Sequence, residues 1–427
     1  MKFGTDGIRG IFGEEITEKE AFLCGSALSR GKKIKVLIGR DTRTGGKQLA
    51  YAFACGLKQN GSSAVDAGIC TTPGIAYLTK KLGFDYGVSV TASHNPPKYN
   101  GIKIFSCKGE KISSQTERKI SNERRENFDE SLILKGEKPG NCLLNEDVVK
   151  NYVDFLSDAG GNLSGLSVVL DASEGAAYKI APTVFENSGA KVKAIFSSGD
   201  GSKINVGCGA LHVEKLKKQV LYEGADIGFA FDGDADRVVA VDKSGKIIDG
   251  DKMLYILSLY YKSRGILANN CCVGTIYTNS GVQEELEKSG IKLFRAKVGD
   301  KFVCEKMKQI GAVVGGEKSG HIILNNLHCT GDGILTAKIL CRCLLDDEEV
   351  FYSHKNLKLC PQINVNLDNA DIKTGIKDYE TTAIIDGCKI RIIIRKSGTE
   401  KKTRITVEGE KYAKEISDAI IKEIKKG

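Results

Sequence analysis

Tyr86-Gly-Val-Ser-Val-Thr-Ala-Ser-His-Asn-Pro96 is the stretch on which the fold turns. Its first five residues form a short, mostly apolar run that stops at a polar loop, the mark of a buried strand. Loops at the carboxyl ends of parallel strands are where α/β folds place ligands. The loop itself, Thr91–Pro96, reads in two ways. Ser93 followed by His94 fits a nucleophile with a neighbouring base, whereas Asn95 and Pro96 are ordinary turn residues.

Upstream, Ile34–Gly39 reads as a buried strand, Arg40–Gly46 as the loop after it, and residues 47–60 as a helix. Ser63–Gly68 is a further strand and residues 74–82 a further helix. This strand–helix alternation predicts a parallel α/β unit. Downstream, Gly101–Phe105 is a short strand that returns Lys103 toward Ser93, although a strand lysine often just faces solvent. The chain opens with Phe3-Gly-Thr-Asp-Gly-Ile-Arg-Gly10, whose glycines predict a tight turn presenting Arg9. A fixed guanidinium there suits a phosphate oxygen; a flexible terminus with a solvated arginine is the plainer alternative.

Residues 108–143 are polar and weakly periodic, and Gly136–Gly140 reads as a linker. A second α/β unit follows, with a helix near 145–158, strands at Leu166–Asp171, Lys191–Phe196 and Asp226–Phe231, and helices over 175–188 and 211–223. It runs into Phe231-Asp-Gly-Asp-Ala-Asp-Arg237. Asp232, Asp234 and Asp236, at alternate positions, make a compact set of oxygen ligands for one hard divalent cation, most simply Mg²⁺. Three carboxylates crowded together without a cation are electrostatically costly. A solvated acidic turn is the alternative; an EF-hand is excluded, because the glutamate it needs twelfth in the loop is missing.

A third unit has helices over 251–263, 281–289, 300–310 and 331–345, and strands at Cys271–Ile276, Lys292–Arg295 and Ala312–Gly316. Its last strand ends at Glu317-Lys-Ser-Gly-His321, where Glu317 and Ser319 have the acceptor and donor chemistry to bind sugar hydroxyls. Lys389–Arg395 and Thr403–Val407 then alternate as strands, followed by a helix over 412–425. Between the strands, Arg395, Ser397, Gly398, Thr399 and Arg404 offer a phosphate cradle of guanidiniums, hydroxyls and backbone N–H groups, or else a turn with solvated charges.

Composition bounds the function. With 41% hydrophobic and 27% charged residues, the 427-residue chain is of globular type, and its length calls for several domains. No apolar run approaches the ~20 residues of a membrane span, and the first residues lack a signal-peptide core, so a cytoplasmic protein without membrane contact is expected. The fourteen cysteines are dispersed with no C-x-x-C spacing, which predicts reduced thiols. The formal charge of +9 is spread along the chain, which fits phosphorylated small molecules better than nucleic acid.

Four loops thus offer a serine, a Mg²⁺ site, a polyol clamp and a phosphate clamp, the parts a phosphoryl-transfer enzyme acting on sugar phosphates requires. In order and sequence these motifs resemble the α-D-phosphohexomutase family over nearly the whole chain. The matching motifs are Phe3–Gly10, Thr91–Pro96, Asp232–Arg237, Gly316–His321 and Arg395–Glu400. Asn205–Ala210 and Ala296–Val303 look like the members that act on glucosamine phosphates.

The resemblance implies four domains around a central cleft: three similar α/β domains at 1–143, 144–244 and 245–356, and a smaller α+β domain at 357–427. It implies that Ser93 is phosphorylated at rest and that turnover passes through a hexose 1,6-bisphosphate. Mg²⁺ would be held by Asp232, Asp234, Asp236 and an oxygen on Ser93. Arg9, Lys103 and His321 would serve acid–base and charge-stabilising roles. Arg237, Glu317 and Ser319 would contact the sugar phosphate, and Arg395, Ser397, Gly398, Thr399 and Arg404 would hold its distal phosphate. The partner would be a small-molecule sugar phosphate and the protein a monomer or homodimer. His94 is set aside as a base, because adjacent side chains point apart along an extended segment. Three departures from the family pattern stand out: Ala235 where many members carry glycine, Lys396 where proline is usual, and Lys318 where the glucosamine branch has glutamine. The last leaves glucose or mannose phosphate as alternative substrates.

Overall fold

A computed structural model describes Gly4 and residues 7–123, 139–368, 378–396 and 402–426. Four sheets organise them. In the first, Lys35–Arg40 runs parallel to both Ser63–Ile69 and Tyr86–Val90. Helices Gly46–Gln59 and Thr72–Lys81 make the crossovers. Residues 87–90 are fully buried, which is why that strand has so little polar character. The sheet is mixed rather than purely parallel: Tyr99–Ser106 folds back antiparallel on Tyr86–Val90, and Ile8–Ile11 adds antiparallel to that. Arg9 accordingly sits on a strand paired with Gly101, and the tight turn lies before it, at Gly7 with φ 87°.

The second and third sheets repeat the device. Ser167–Asp171 runs parallel to Lys191–Ile195 and Ile227–Phe231. Ile227–Phe231 then turns through residues 232–237 into an antiparallel partner, Val238–Asp242. In the third sheet, Cys271–Thr275 is parallel to Lys292–Ala296 and Val314–Gly316, and the chain turns through 317–321 into antiparallel Ile322–Leu324. In all three units the motif loop joins a parallel strand to its antiparallel return.

The three units share apolar packing. One continuous core runs through Leu37, Ile75, Phe185, Phe229, Met253 and Leu335. Tyr152, fully buried within it, satisfies its hydroxyl by donating to Asp332 at 2.7 Å. The fourth sheet is antiparallel, in the order Gln362–Asp368, Lys402–Glu408, Cys388–Lys396, Tyr379–Ile385. Helix Ala413–Lys426 covers it with Ala413 and Ile424 against Ile405 and Val407. All fourteen cysteines are free thiols. Among the described residues no helix is long and apolar enough to cross a membrane.

Candidate active site

The serine loop is held by an arginine that spacing alone did not single out. Arg43 is buried and ion-paired with buried Asp41, Nε to Oδ2 at 2.9 Å. Its Nη2 donates to the carbonyls of Ser93 and Asn95, both at 2.7 Å, and its Nη1 to those of Pro96 (2.6 Å) and Tyr99 (3.1 Å). The planar fork of arginine suits such divided donation. Thr91 Oγ1 donates to Asp41 and accepts from the Ser93 N–H. From the second unit, Asn205 Nδ2 donates to the Ser93 and Asn95 carbonyls at 2.9 and 3.1 Å. Ser93 takes a left-handed φ of 51°, a conformation non-glycine residues hold only where the surroundings impose it.

That backbone turn corrects the expectation about His94. The segment is not extended at Ser93, and His94 Nδ1 lies 3.3 Å from Ser93 Oγ. Burial pushes the imidazole pKa down to about 3, helped by the charges of Arg237 and Arg9. His94 is therefore a neutral neighbour of the hydroxyl and a weak base.

Ser93, fully buried, donates from Oγ to Asp232 Oδ2 at 2.6 Å. Asp232, Asp234 and Asp236 are all buried, with ligand oxygens within 4.8 Å of one another. Their loops can approach because position 233 is glycine: a Cβ there would stand 2.6 Å from the Ser93 carbonyl oxygen. Lys103, in register with Ser89 on the return strand, is buried and donates to Asp234 (2.8 Å) and Asp236 (2.9 Å). Thr72, at the start of a first-unit helix, donates to Asp234 Oδ2 at 2.5 Å. Asp232 also accepts from the Arg237 N–H at 3.1 Å, and Arg237 Nε lies 3.8 Å from Asp236 Oδ1.

The donor set fits a divalent cation. Oδ1 of Asp234 and Oδ1 of Asp236 are buried without a hydrogen-bond partner among the described residues. Burial, and then the charges of Asp236 and Asp234, drive the Asp232 carboxyl well above its usual pKa. Lys103 neutralises only part of the cluster, leaving anionic oxygens of hard-ligand type.

Two of the departures acquire physical content. Ala235 is buried with φ 56°, the region where glycine is favoured, and its carbonyl accepts from Gly333 of the third unit at 3.0 Å. Lys318 is exposed, and its Nζ donates to Gln362 Oε1 of the fourth sheet at 2.7 Å.

The structure brings His321 to this cluster. It is buried, with Nδ1 3.8 Å from Asp236 Oδ1 and Nε2 3.7 Å from Asp300 Oδ2. Burial opposes its protonation, but the neighbouring carboxylate of Asp236, with those of Asp300 and Glu317, leaves the imidazole pKa raised. Gly320, with φ 90°, lets the 317–321 loop lie on the Val238 backbone, where a Cβ would meet the Val238 carbonyl oxygen at 2.0 Å. Glu317 accepts from the Gly299 N–H at 2.9 Å, and Ser319 is exposed. Arg9 reaches Asn95 Oδ1 from Nη1 at 3.5 Å.

Arg395 and Arg404 belong to a second group, directly opposite each other on antiparallel strands. Ser397, Gly398 and Thr399 lie outside the described residues.

Two classes of comparison agree with this architecture. The chain matches three successive family descriptions of phosphoglucomutase/phosphomannomutase: α/β/α domain I over residues 1–130, domain II over 149–245 and domain III over 249–356. The chain belongs to the α-D-phosphohexomutase family. Over 437 residues it is 40% identical to a phosphoglucosamine mutase of Caldicellulosiruptor bescii, covering 98% of this chain and 96% of that one. It is also 40% identical to that of Fusobacterium nucleatum, over 99% of both chains.

Among solved structures, a phosphoglucomutase/phosphomannomutase family protein from Burkholderia thailandensis shares the fold, with TM-score 0.80 and 24% identity over 99% of this chain and 95% of that one. So does an Aspergillus fumigatus N-acetylphosphoglucosamine mutase, solved with GlcNAc-6P and magnesium, with TM-score 0.66 and 16% identity over 100% and 96%.

Proposed function

We infer that the chain carries out the phosphoglucosamine mutase reaction, interconverting glucosamine 6-phosphate and glucosamine 1-phosphate through a phosphoserine and a 1,6-bisphosphate. The carrying observation is the Ser93 hydroxyl, buried and bonded to one of three clustered aspartates. The near-full-length likeness to phosphoglucosamine mutases at 40% identity supports the amino sugar over glucose or mannose.

Ser93 acts as a phosphoryl relay. In the forward direction its Oγ–P bond breaks while a bond forms from the sugar O1 to phosphorus, and the O1 proton passes to a base. The bisphosphate then presents its 6-phosphate, whose P–O bond breaks as phosphorus returns to Ser93 Oγ and O6 recovers a proton. Asp232, Asp234 and Asp236 would hold Mg²⁺, which supplies positive charge to the transferring phosphoryl group.

Lys103 and His321, both buried beside the aspartates, are the candidates for moving that proton. Arg9 and Arg237 would supply positive charge around the serine loop, Arg9 reaching Asn95 Oδ1 at 3.5 Å and the Arg237 N–H donating to Asp232 at 3.1 Å. Glu317 and Ser319 read sugar hydroxyls, while Arg395 and Arg404, with Ser397, Gly398 and Thr399, hold the distal phosphate. The reading places the enzyme in the cytoplasm, as a monomer or homodimer supplying amino-sugar precursors of the cell envelope.

The test is turnover of glucosamine, glucose and mannose 6-phosphates by purified protein pre-treated with hexose 1,6-bisphosphate, with intact mass recorded beforehand. Expected are one added phosphate on Ser93 and the highest kcat/KM with glucosamine 6-phosphate. A preference for glucose or mannose 6-phosphate would reject the amino-sugar assignment, and an unmodified Ser93 would reject the relay.

A further inference from the structure

The His321 imidazole sits between two carboxylates, one opposite each ring nitrogen. Asp236 Oδ1 of the second unit faces Nδ1 at 3.8 Å, and Asp300 Oδ2 faces Nε2 at 3.7 Å. Both separations exceed a direct hydrogen bond, and Nε2 is buried without a partner among the described residues. The carboxylates therefore act through their charge, which favours ring nitrogens over ring carbons on those two sides. A flip of the ring would turn Cδ2 and Cε1 toward them instead. From a third side the ring lies on the bare Cα of Gly331, where a Cβ would run into Nε2, Cε1 and Cδ2.

Asp300 is held in turn. Its Oδ1 accepts from the Lys301 N–H at 2.7 Å, and the N–H of its neighbour Gly299 donates to Glu317 at 2.9 Å. Its Oδ2, the oxygen that faces His321, is ion-paired with Lys111 Nζ at 2.6 Å, both side chains being largely buried. Lys111 belongs to the first unit and follows the turn at residues 107–110 that ends strand Tyr99–Ser106. A second ion pair, Lys308 with Glu110 at 2.6 Å, joins the same turn to helix Asp300–Ile310 about two helical turns further along, and is more exposed. The first unit, which carries Ser93, thus also grips the carboxylate beside the third unit's imidazole.

We propose that Lys111 and Asp300 are a positioning pair for the reaction, holding the His321 ring in the orientation that turnover requires. This rests on the mutase reading above, with His321 among its working groups. The imidazole is then set only while the first and third units are docked.

The experiment measures kcat and KM for glucosamine 6-phosphate, at saturating hexose 1,6-bisphosphate and Mg²⁺, in the full-length parent and five variants. These are Lys111→Met, Asp300→Asn, Lys308→Met, His321→Gln, and the double variant Asp300→Asn with His321→Gln. Lys111→Met and Asp300→Asn are each expected to lower kcat by about tenfold or more with KM within about twofold, since a misplaced catalytic group costs rate and not binding. Lys308→Met should keep the parent rate, because its ion pair serves the same junction without facing His321. In the His321→Gln background, Asp300→Asn should cost less than about twofold more, because the two residues act as one unit. Parent-like kcat in Lys111→Met and Asp300→Asn, with His321→Gln impaired, overturns the proposal and leaves the mutase reading standing. An equal loss in Lys308→Met, or a full further loss in the double variant, overturns it in favour of unit docking alone. If His321→Gln keeps the parent rate, or the parent itself does not turn over, that part of the mutase reading falls, and the proposal with it.

Discussion

Ser93 Oγ and Asp232 Oδ2 stand 2.6 Å apart although 139 residues separate them in sequence. The hydroxyl comes from the first sheet and the carboxylate from the hairpin of the second. Ser93→Ala should lower kcat by about 10⁴-fold or more, because no other side chain replaces a covalent relay. Steady-state turnover with glucosamine 6-phosphate measures it, and intact mass should show no added phosphate.

Asp234 Oδ2 accepts from both Thr72 and Lys103, while its Oδ1 is buried without a hydrogen-bond partner among the described residues. Asp234→Asn removes one negative charge from the cation site while keeping the shape. The Mg²⁺ concentration for half-maximal activity should rise by about tenfold or more, since affinity in such sites follows the ligand charge count. Titration of the metal-stripped protein with Mg²⁺, followed by activity, supplies the comparison; an unchanged midpoint would speak against Asp234 as a ligand.

Arg43 serves Asp41 and four loop carbonyls from one guanidinium. Arg43→Lys keeps the charge but cannot reach those acceptors in the same plane. Partial loss of a buried pair of this kind costs about 3 kcal/mol. Urea denaturation should record that loss, and kcat should fall further than KM rises, because Ser93 is mispositioned rather than removed.

At Ala235 two effects oppose. The left-handed φ of 56° strains an alanine by about 1–2 kcal/mol. Changing it to glycine relieves that strain but gives up a buried methyl, about 0.8 kcal/mol, and adds about 0.4–1 kcal/mol of unfolded-state freedom. Ala235→Gly should therefore shift stability by less than about 1 kcal/mol and leave activity intact. Gly233→Ala, by contrast, drives a methyl into the Ser93 carbonyl and should abolish activity. Paired denaturation curves and rates for the two variants distinguish these outcomes.

His328 gives the fold a specific acid sensitivity. It is buried with Nε2 3.0 Å from the Pro73 carbonyl, and burial pushes its pKa down to about 4. The folded pKa lies below the unfolded value of about 6.5, so the fold favours the neutral ring. The stabilisation is full above about pH 6.5 and disappears as pH falls toward 4, amounting to about 3 kcal/mol. His328→Gln should flatten the difference in unfolding free energy between pH 7 and pH 5; an equal slope in both proteins would refute the assignment.

Legibility in sequence followed locality. The run Tyr86–Val90, the aspartates at alternate positions and the strand Lys389–Arg395 signalled themselves within a few residues. Helix Glu18–Ser29 did not, because residues 21–29 are buried nearly all round and leave no amphipathic period. Val238–Asp242 and Ile322–Leu324 were hidden as short, wholly buried return strands beside conspicuous loops. Of the outer strands of their sheet, Tyr379–Ile385 is mostly exposed and carries little core signal, whereas Gln362–Asp368 does alternate Ile363, Val365 and Leu367 toward the sheet's core and was legible but not picked out. In the site, Thr72 and Asn205 meet their partners across more than a hundred residues of chain, and no spacing rule reaches that far.

The serine loop takes hydrogen bonds from Asn205, and Thr42 Oγ1 donates to the Glu174 carbonyl at 2.5 Å, so the second unit helps shape the loop as well as facing it. The consequence is a limit on dissection. A fragment ending before the second unit would keep the serine but lose its acid partner and the amide that steadies its backbone. Under the proposed relay, phosphoryl carriage would be a property of two units docked together, and any splitting of this protein for engineering would have to cut elsewhere.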